Sequence, residues 1–357
     1  MRDDTARTGQ PLLASVIVPT FNRSRRLELT LASFLRQTET RFEVVVIDDG
    51  STDETPEVLA EYAGRLRLRV VRQANRGRSA ARNAGLAVAA GEALLFCDDD
   101  RIAAPGFVAA HCEELLGGGE PKVVLGWQYG IVSMIEPGTS LSQEDVASVL
   151  ARRPDLACEI GPAGEVDAVF LTPADVIGDF AGTVRDFAIP EPFWRDHVEP
   201  VIATYGEDLA GFTLPWAIGL TGNLGVLRHL VQTVGGFDLS FKGWGLEDAD
   251  LCLRLSAAGA RTLISRRAAN YHQIHPRPVE RLDEWCRNAS YFASKHDTFE
   301  VATFLVGSCA NSGFRALNEI LRAHRQAEDG VSAVLAQALE RVMRDHARTL
   351  VRVGSSL

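Results

Sequence analysis

Three consecutive aspartates, Asp98 to Asp100, follow an apolar run, Ala93–Cys97, that has the length and composition of a buried strand. The sequence therefore places these acids at the carboxyl end of a strand, the edge of an open α/β sheet where ligands bind. Carboxylates this close together repel one another unless a cation lies among them. Oxygen ligands of this kind suit Mg²⁺ or Mn²⁺, which in turn bind phosphates. The alternative interpretation is a solvated acidic turn.

The first hundred residues alternate between strand and helix patterns. Strands are predicted at 15–19, 42–47, 68–71 and 93–97. Helices are predicted between them, and the capping-box spacing of Ser51 and Glu54 predicts that the second helix begins at Ser51. This order predicts right-handed crossovers and a mainly parallel sheet with helices on both faces. The sequence has neither a Gly-x-Gly-x-x-Gly nor a Walker motif, which argues against dinucleotide dehydrogenases and P-loop enzymes.

The carboxyl ends of these strands carry residues suited to a sugar nucleotide. Phe21 and Arg23 follow the first strand, and Asp49 follows the second. An aromatic ring can stack on a base, and a carboxylate can accept the imide N–H of uracil. Arg78 and Arg82 begin the third helix, where they could offset phosphate charge together with the helix dipole. Simpler alternatives are a core position for Phe21, a helix cap for Asp49 and a solvated surface charge for Arg82.

Composition excludes several other classes of protein. The 357-residue chain has a formal net charge of −10, which argues against a general nucleic-acid binder or a protein that lies on anionic lipid. Its apolar runs are all shorter than the ~20 residues that span a bilayer, and its N-terminus lacks the apolar core of a signal peptide. Six scattered cysteines without a Cys-x-x-Cys pair predict free thiols and a cytoplasmic location.

Four segments, 15–23, 46–53, 77–85 and 96–100, resemble the serial motifs of family 2 glycosyltransferases in order and spacing. The resemblance covers about residues 12–115. It implies the GT-A fold, a mainly parallel Rossmann-like sheet flanked by helices. It also implies a nucleotide-diphospho-sugar donor, and a divalent metal held by the Asp-x-Asp element.

The same resemblance assigns roles to individual residues. It implies that Asp49 binds uracil, that Asp98 and Asp99 lie near the ribose and the sugar, and that Asp100 binds the metal. The residues expected to bind the donor are Pro19, Thr20, Phe21, Arg23, Asp49, Arg78, Asp98 and Asp99.

A second block, residues 243–248, carries the next candidates. Its glycines allow a tight turn that exposes Trp244, and Glu247 and Asp248 then begin a helix, where acids also simply complement the helix dipole. The block resembles the Gly-Trp-Gly-x-Glu-Asp element of galactosyltransferases and chondroitin-type polymerases, with Leu246 in place of a common third glycine. The resemblance implies that Asp248 is the general base, that Glu247 helps to hold the acceptor and that Trp244 borders the sugar. Asn223, in the segment just before this block, is also expected to contact the acceptor.

Two histidines follow in the segment 270–276, which is predicted to be a short polar loop. It resembles a Tyr-His-Gln segment of the polymerases, and this implies that His272 completes the metal site with Asp100. His275 is the alternative ligand. An imidazole among oxygen ligands favours Mn²⁺ over Mg²⁺.

The sequence therefore predicts an inverting, metal-dependent transfer of a sugar from a UDP-sugar to an acceptor hydroxyl, with one base and no second carboxylate identifiable as a nucleophile. Residues 1–120 are expected to bind the nucleotide sugar, 121–278 to hold the acceptor and the catalytic base, and 279–357 to form a helical C-terminal extension. Residues 131–200 are expected to shape the acceptor pocket or to form a mobile lid over it. The acceptor itself is left open, and a homodimer through the C-terminal helices is one possibility.

Two other functions use the same features. A sugar-nucleotide nucleotidyltransferase has a related fold, but it usually carries a glycine-rich basic loop after the first strand, and Pro19–Arg23 is not such a loop. A non-catalytic sugar-nucleotide-binding protein would be expected to lose its acids, whereas this chain keeps the aspartate triplet, Glu247, Asp248 and His272.

Overall fold

The strands of the protein follow the predicted alternation. A computed structural model describes residues 11–136, 139, 143–152, 154, 168–276, 281–310, 312–327 and 330–354. The strands are β1 (Ala14–Thr20), β2 (Phe42–Asp48), β3 (Leu68–Arg72), β4 (Ala93–Cys97), β5 (Arg101–Ala103), β6 (Lys122–Ile131), β7 (Met134–Ile135), β8 (Ala168–Val169), β9 (Ala188–Pro190), β10 (Asn223–Leu227) and β11 (Arg261–Gln273). The four strands predicted in the first hundred residues are confirmed as β1 to β4.

Helices separate most of the strands and make up the end of the chain. They are α1 (Ser24–Phe34), α2 (Thr55–Tyr62), α3 (Arg78–Val88), α4 (Phe107–Leu116), α5 (Gln143–Arg152), α6 (Pro173–Gly178), α7 (Phe180–Thr183), α8 (Glu199–Tyr205), α9 (Arg228–Val234), α10 (Glu247–Ala257), α11 (Arg281–Lys295), α12 (Phe299–Cys309), α13 (Phe314–Gln326) and α14 (Gly330–Gly354). Short 3₁₀ turns cover Arg185–Phe187 and Pro215–Ile218, and a π-helical turn covers Trp194–Val198. The helices predicted after residue 279 are thus present.

Nine of the described strands form one sheet in the order β3-β2-β1-β4-β10-β6-β11-β5, with β9 on β6. The first four strands are parallel, so the carboxyl ends of β1, β2 and β4 meet at one edge. Strand β10 lies between β4 and β6 and runs antiparallel to both. One continuous sheet therefore carries strands from both the predicted nucleotide half and the predicted acceptor half.

Two predictions about local structure are wrong. Helix α2 begins at Thr55 rather than at Ser51, because the Ser51 hydroxyl accepts a hydrogen bond from the backbone N–H of Asn22 (3.0 Å) instead of capping the helix. The segment that contains His272 is a strand and not a loop, because its backbone pairs with β5 on one side and β6 on the other. This pairing sets His272 opposite Arg101, directly after the aspartate triplet.

Apolar side chains fill both faces of the sheet. One face packs against α1, α2 and α4, and the other packs against α3, α9, α10 and the C-terminal helices. Trp216 contacts Phe292 and Phe304, so the C-terminal helices share the core of the α10 side. Within the described part of the chain, each helix is too short or too polar to cross a membrane. The cysteines in that part are free thiols, and Cys158 lies outside it.

Candidate active site

A cleft of about 800 Å³ opens at the carboxyl ends of β1, β2 and β4 and is closed on its far side by the start of α10. Its lining includes the predicted residues Pro19, Thr20, Phe21, Arg23, Asp49, Arg78, Asp98, Asp99, Asp100, Trp244, Glu247, Asp248 and His272. The structure thus brings together on one cleft all the predicted site residues except Asn223. Their individual roles stay predictions.

The nucleotide end of the cleft is formed by the loops after β1 and β2. The Asp49 carboxylate accepts hydrogen bonds from Gln73 Nε2 (2.7 Å) and from the backbone N–H groups of Arg76 (2.9 Å) and Gly77 (2.8 Å), so it is held rigidly and does not cap α2. The Phe21 ring is 45% exposed, which rules out the alternative of a core position. Arg78, at the first turn of α3, forms no ion pair with any residue that the structure describes.

Asp100, His272 and His275 form a cluster with the chemistry of a metal site, and their ligand atoms all lie within 4.8 Å of one another. Asp100 Oδ2 lies 3.2 Å from His275 Nε2 and 3.8 Å from His272 Nε2. The buried Oδ1 of Asp100 has no hydrogen-bond partner among the described residues. One carboxylate and two imidazoles are ligands that divalent transition metals take, and Asp100 Oδ1, which lies 3.6 Å from Arg101 Nε, gives a cation a further ligand atom. Both histidines therefore lie within reach of a metal on Asp100, and the choice of His272 with His275 as the alternative stays a prediction.

Cations and imidazoles keep Asp100 ionised. Burial alone would raise its pKa, but the contacts with His272, His275, Arg23 and Arg101 hold the pKa of this carboxyl well below its usual range. Arg23 Nη1 lies 3.3 Å from Asp100 Oδ2, so Arg23 reaches the metal cluster as well as the cleft. A carboxylate that stays ionised at neutral pH is what a divalent cation requires of its ligand.

Sequence reasoning missed Glu191 as a site residue. Its Oε1 lies 3.7 Å from Nδ1 of His272, and its Oε2 accepts the backbone N–H of Trp194 (2.9 Å). Burial would raise the pKa of Glu191, but His272 and Arg101 lower it to about 2. An anion on the far nitrogen of a ligating imidazole orients that ring. The sequence assigns the stretch 131–200 only in general terms to the acceptor pocket, and no motif links Glu191 to His272.

Arg82 is not a solvated surface charge in this structure. Its guanidinium is buried and contacts three carboxylates: Asp98 Oδ1 at 3.0 Å, Glu247 Oε1 at 3.2 Å and Asp248 Oδ1 at 3.5 Å. These acids come from the loop after β4 and from the first turn of α10. Arg82 therefore joins the two sides of the cleft, and this burial rules out the alternative of a solvated surface charge. A contact with phosphate stays a prediction, since Arg82 also lines the cleft.

Asp248 sits at the start of α10 with 18% of its side chain exposed. Thr221 binds both of its oxygens: the hydroxyl donates to Oδ1 at 2.8 Å and the backbone N–H donates to Oδ2 at 3.2 Å. Burial and the negative charge of Glu247 raise the pKa of Asp248 to about 6, against the lowering effect of Arg82. An acid with this pKa is ionised at neutral pH and still basic enough to accept a proton.

The turn before α10 is held by residues from α11. Gly243 and Gly245 have φ of +70° and +109°, and Leu246 has φ of 71° although it is not a glycine. Glu284 accepts the Trp244 backbone N–H (2.8 Å), and Asn288 donates to the Gly245 carbonyl (2.8 Å). Burial of the Leu246 side chain in the core offsets the cost of its left-handed backbone.

Glu247 follows directly, and both of its oxygens are engaged by the protein. Oε1 is the oxygen that contacts Arg82, and Oε2 accepts the Gly245 backbone N–H (3.0 Å). The side chain is almost entirely buried. These contacts stabilise the turn and the start of α10, and a further role in holding an acceptor stays a prediction.

The prediction that Asn223 binds an acceptor is wrong. Its side chain is completely buried and is directed away from the cleft, because its oxygen pairs with His111 Nε2 (2.9 Å) and its amide donates to the Ala268 carbonyl (2.8 Å). Burial lowers the pKa of His111 to about 4, so the imidazole is neutral and can donate to Asn223. Asn223 links β10 to α4 and β11 and has a structural role.

Replacing Asn223 with alanine is expected to lower the free energy of unfolding by about 2–3 kcal/mol, because it leaves a buried imidazole and a buried carbonyl without partners. Chemical denaturation followed by circular dichroism measures this loss. An unchanged stability together with a raised acceptor KM would instead support the original prediction.

Comparison with known proteins gives two family matches. Residues 15–163 match the model of glycosyl transferase family 2, and residues 204–289 match a model described as the N-terminal domain of galactosyltransferase. The uncharacterized glycosyltransferase YfnE of Bacillus subtilis (strain 168) is 31% identical over 289 residues, which are 80% of this chain and 70% of that protein. The chain belongs to glycosyl transferase family 2.

Two further relatives are similar over most of the chain. Validoxylamine A glucosyltransferase of Streptomyces hygroscopicus subsp. jinggangensis (strain 5008) is 33% identical over 82% of this chain and 62% of that protein. Chondroitin synthase of Pasteurella multocida (strain Pm70) is 28% identical over 73% of this chain and 25% of that protein. The chain spans about three fifths of the length of the validoxylamine A glucosyltransferases that it matches. The predicted resemblance to family 2 and to chondroitin-polymerase-type domains is thus confirmed.

Solved structures confirm the fold of this family 2 chain. S. aureus TarS 1–349 in complex with UDP matches with a TM-score of 0.51 at 19% identity, over 97% of this chain and 90% of that chain. Full-length S. aureus TarS matches with a TM-score of 0.52 at 20% identity, over 96% of this chain and 54% of that one. At these identities the likeness concerns the fold, which is the predicted GT-A fold.

Proposed function

We propose that this family 2 glycosyltransferase moves a sugar from a UDP-sugar to an acceptor hydroxyl, with a divalent metal and with inversion at the anomeric carbon. The observation that carries the proposal is the pairing, on one cleft, of the Asp100–His272–His275 cluster with a separate carboxylate, Asp248, whose pKa is near 6. The Asp100–His272–His275 cluster suits a metal ion that binds the diphosphate of the donor, and the Asp248 carboxylate suits proton removal from an alcohol.

The donor end has groups for each part of a uridine diphosphate sugar. Asp49 would accept the uracil imide N–H, and the exposed ring of Phe21 would stack on the base. Arg78, which lies at the first turn of α3, would offset diphosphate charge. Pro19, Thr20 and Arg23 border the same space, and Asp98 and Asp99 would lie near the ribose and the sugar. The match to a TarS fold solved with UDP supports the choice of nucleotide.

The residues that would hold a metal are Asp100, His272 and His275, with Glu191 orienting His272. Their mixed oxygen and nitrogen ligands favour Mn²⁺ over Mg²⁺. When bound there, such an ion supplies positive charge that stabilises the departing nucleoside diphosphate. Arg23 lies beside the cluster and adds a fixed positive charge of the protein itself.

Asp248 would act as the general base on the acceptor side. The acceptor oxygen forms a bond to the anomeric carbon while the bond from that carbon to the diphosphate oxygen breaks, and the hydroxyl proton passes to the Asp248 carboxylate. Attack from the face opposite the leaving group inverts the anomeric carbon. Asp248 at the start of α10 and the Asp100–His272–His275 cluster at the ends of β4 and β11 come from different elements that line one cleft, which supports this direction of attack.

The acceptor side is bounded by Trp244 and, from the stretch 131–200, by Phe193 and His197. The ring centroids of Phe193 and His197 lie 5.2 Å apart, and Phe314 of α13 lies 6.4 Å from Phe193. These aromatic faces support an acceptor with a ring, such as a small-molecule aglycone or a glycan end. In this proposal, residues 1–120 bind the donor, 121–278 hold the acceptor and the base, and 279–357 complete the acceptor wall.

The test is calorimetric binding of UDP, dTDP, GDP and ADP, each with and without Mn²⁺. We expect UDP to bind most tightly, to need Mn²⁺, and to lose at least about tenfold in affinity in Asp100→Ala, because one metal ligand is removed. Asp196→Ala, which removes an exposed acid, is the matched control. Failure of every nucleotide to bind would overturn the proposal.

A second assay separates the remaining alternatives. Transfer from a UDP-sugar to a panel of hydroxyl acceptors, with release of UDP, is expected of the proposed transferase. Pyrophosphate release from UTP and a sugar 1-phosphate would identify a nucleotidyltransferase instead. Tight UDP binding without turnover of any donor would favour a binding protein.

A further inference from the structure

Thr221 contacts the proposed base without bordering the cleft. The residue is completely buried in the loop between the 3₁₀ turn at 215–218 and β10. It nevertheless supplies two of the hydrogen bonds to Asp248, one from its hydroxyl and one from its backbone N–H. No sequence motif identified above includes this threonine. Its separation of 27 residues from Asp248 does not predict a contact between the two.

Two glycines bring this loop close enough for the contact. A Cβ at Gly219 would lie 2.3 Å from Cys252 Sγ of α10, and a Cβ at Gly222 would lie 2.9 Å from the Arg101 guanidinium. Because neither residue has a side chain, the loop packs directly against the first turns of α10 and against β5. Thr221 lies in the loop between Gly219 and Gly222. The position of its backbone is therefore set by the packing of these two glycines.

We propose that Thr221 is a positioning residue that clamps the Asp248 carboxylate in the orientation needed for proton removal. This rests on the proposed role of Asp248 as the base. With Oδ1 bound by the hydroxyl and Oδ2 bound by the N–H, rotation of the carboxylate is blocked. Asp248 Oδ2 accepts only the hydrogen bond from the Thr221 backbone N–H, at 3.2 Å, so it keeps a free lone pair. The exposed 18% of the Asp248 side chain is available to the acceptor.

The clamp also acts on the charge of the base. The charged or titratable groups around Asp248 are Arg82 from α3, Asp98 after β4, and Glu247 and Cys252 on its own helix. The two acids and burial favour the protonated form, and Arg82 opposes them. The Thr221 hydroxyl is a neutral donor that also favours the ionised carboxylate. Removing that donor should therefore make Asp248 harder to ionise.

The experiment compares Thr221→Val, which keeps the shape and the backbone N–H, with Thr221→Ser, which keeps the hydroxyl. Thr204→Val, at an exposed threonine, is the matched control. We expect the acid limb of the kcat/KM profile to move upward by about half a pH unit to one unit in Thr221→Val, as expected for the loss of one hydrogen bond. We expect kcat at neutral pH to fall about tenfold, with Thr221→Ser and Thr204→Val close to the wild type.

A titration that does not depend on turnover separates this proposal from the proposed function. Carbon-13 carboxyl resonances of labelled aspartate, with Asp248 assigned by its loss in Asp248→Asn, give the pKa of Asp248 directly. An upward shift in Thr221→Val alone supports the clamp even if no acceptor is found. An unshifted pKa in a folded Thr221→Val protein overturns it, as does an equal shift in Thr221→Ser.

Discussion

Replacing Asp248 with asparagine is expected to lower the rate of sugar transfer by about a hundredfold to ten-thousandfold, the range typical for loss of a general base. Asparagine has nearly the same shape and can still accept from Thr221, but it cannot take up the proton of an acceptor hydroxyl. UDP binding with Mn²⁺ should be unchanged, because Asp49 and the Asp100 cluster are intact. Steady-state transfer kinetics and calorimetry measure the two effects separately.

The same residue should set the pH dependence of the wild-type enzyme. Its pKa is raised to about 6, so the carboxylate is ionised and active above that pH and is neutralised as the pH falls through it. The transfer rate should then fall by about tenfold for each pH unit below 6. Asp196→Asn, at an exposed acid, should behave as the wild type. A transfer rate in Asp248→Asn within about twofold of the wild type would remove Asp248 as the base.

Replacing Arg82 with methionine is expected to lower the free energy of unfolding by about 3–5 kcal/mol and to abolish transfer. Methionine fills much of the same space, but the buried Glu247 and the partly buried Asp98 and Asp248 would then face one another without a cation. Their mutual repulsion should also raise the pKa of Asp248 further and weaken it as a base at neutral pH. Urea denaturation measures the stability change.

The double variant Arg82→Met with Glu247→Gln separates the effect of charge from the effect of shape. Removing one buried negative charge should restore part of the lost stability, whereas a purely steric effect of methionine would not be relieved. Arg261→Met is the matched control, because Arg261 pairs with Asp208 at an exposed site. Its loss should cost less than about 1 kcal/mol. Equal stability of Arg82→Met and Arg261→Met would contradict the proposed role of Arg82.

Local sequence patterns were enough to predict the nucleotide half of the fold. The strands β1, β2 and β4 are short apolar and β-branched runs whose side chains are almost all buried, so pattern and structure agree there. The edge strand β3 is largely exposed but keeps two adjacent valines that favour a strand. The positions of Asp49 and of the aspartate triplet follow from the ends of those strands. Each of the motifs after β1, β2 and β4 lies at the carboxyl end of a single strand. The residues that these motifs contribute to the cleft could therefore be predicted from local sequence.

Contacts between distant segments could not be predicted in this way. Arg82 lies 165 positions before Glu247, and the sequence does not show that they share one buried network. Asn223 lies among motif residues, but its hydrogen-bond partner His111 is 112 positions away in the sequence. The burial of the Asn223 side chain follows from that distant contact. His275 joins the metal cluster only because β11 pairs with β5 and ends beside Asp100.

The place of β10 in the sheet also affects how the chain is made. Strand β4 is completely buried, and β10 covers one of its edges, but β10 leaves the ribosome about 125 residues later. At ~5–20 residues per second, this delay is on the order of ten seconds. During that time a fully apolar strand has an open edge in the nascent chain, and such an edge is prone to aggregation until β10 pairs with it.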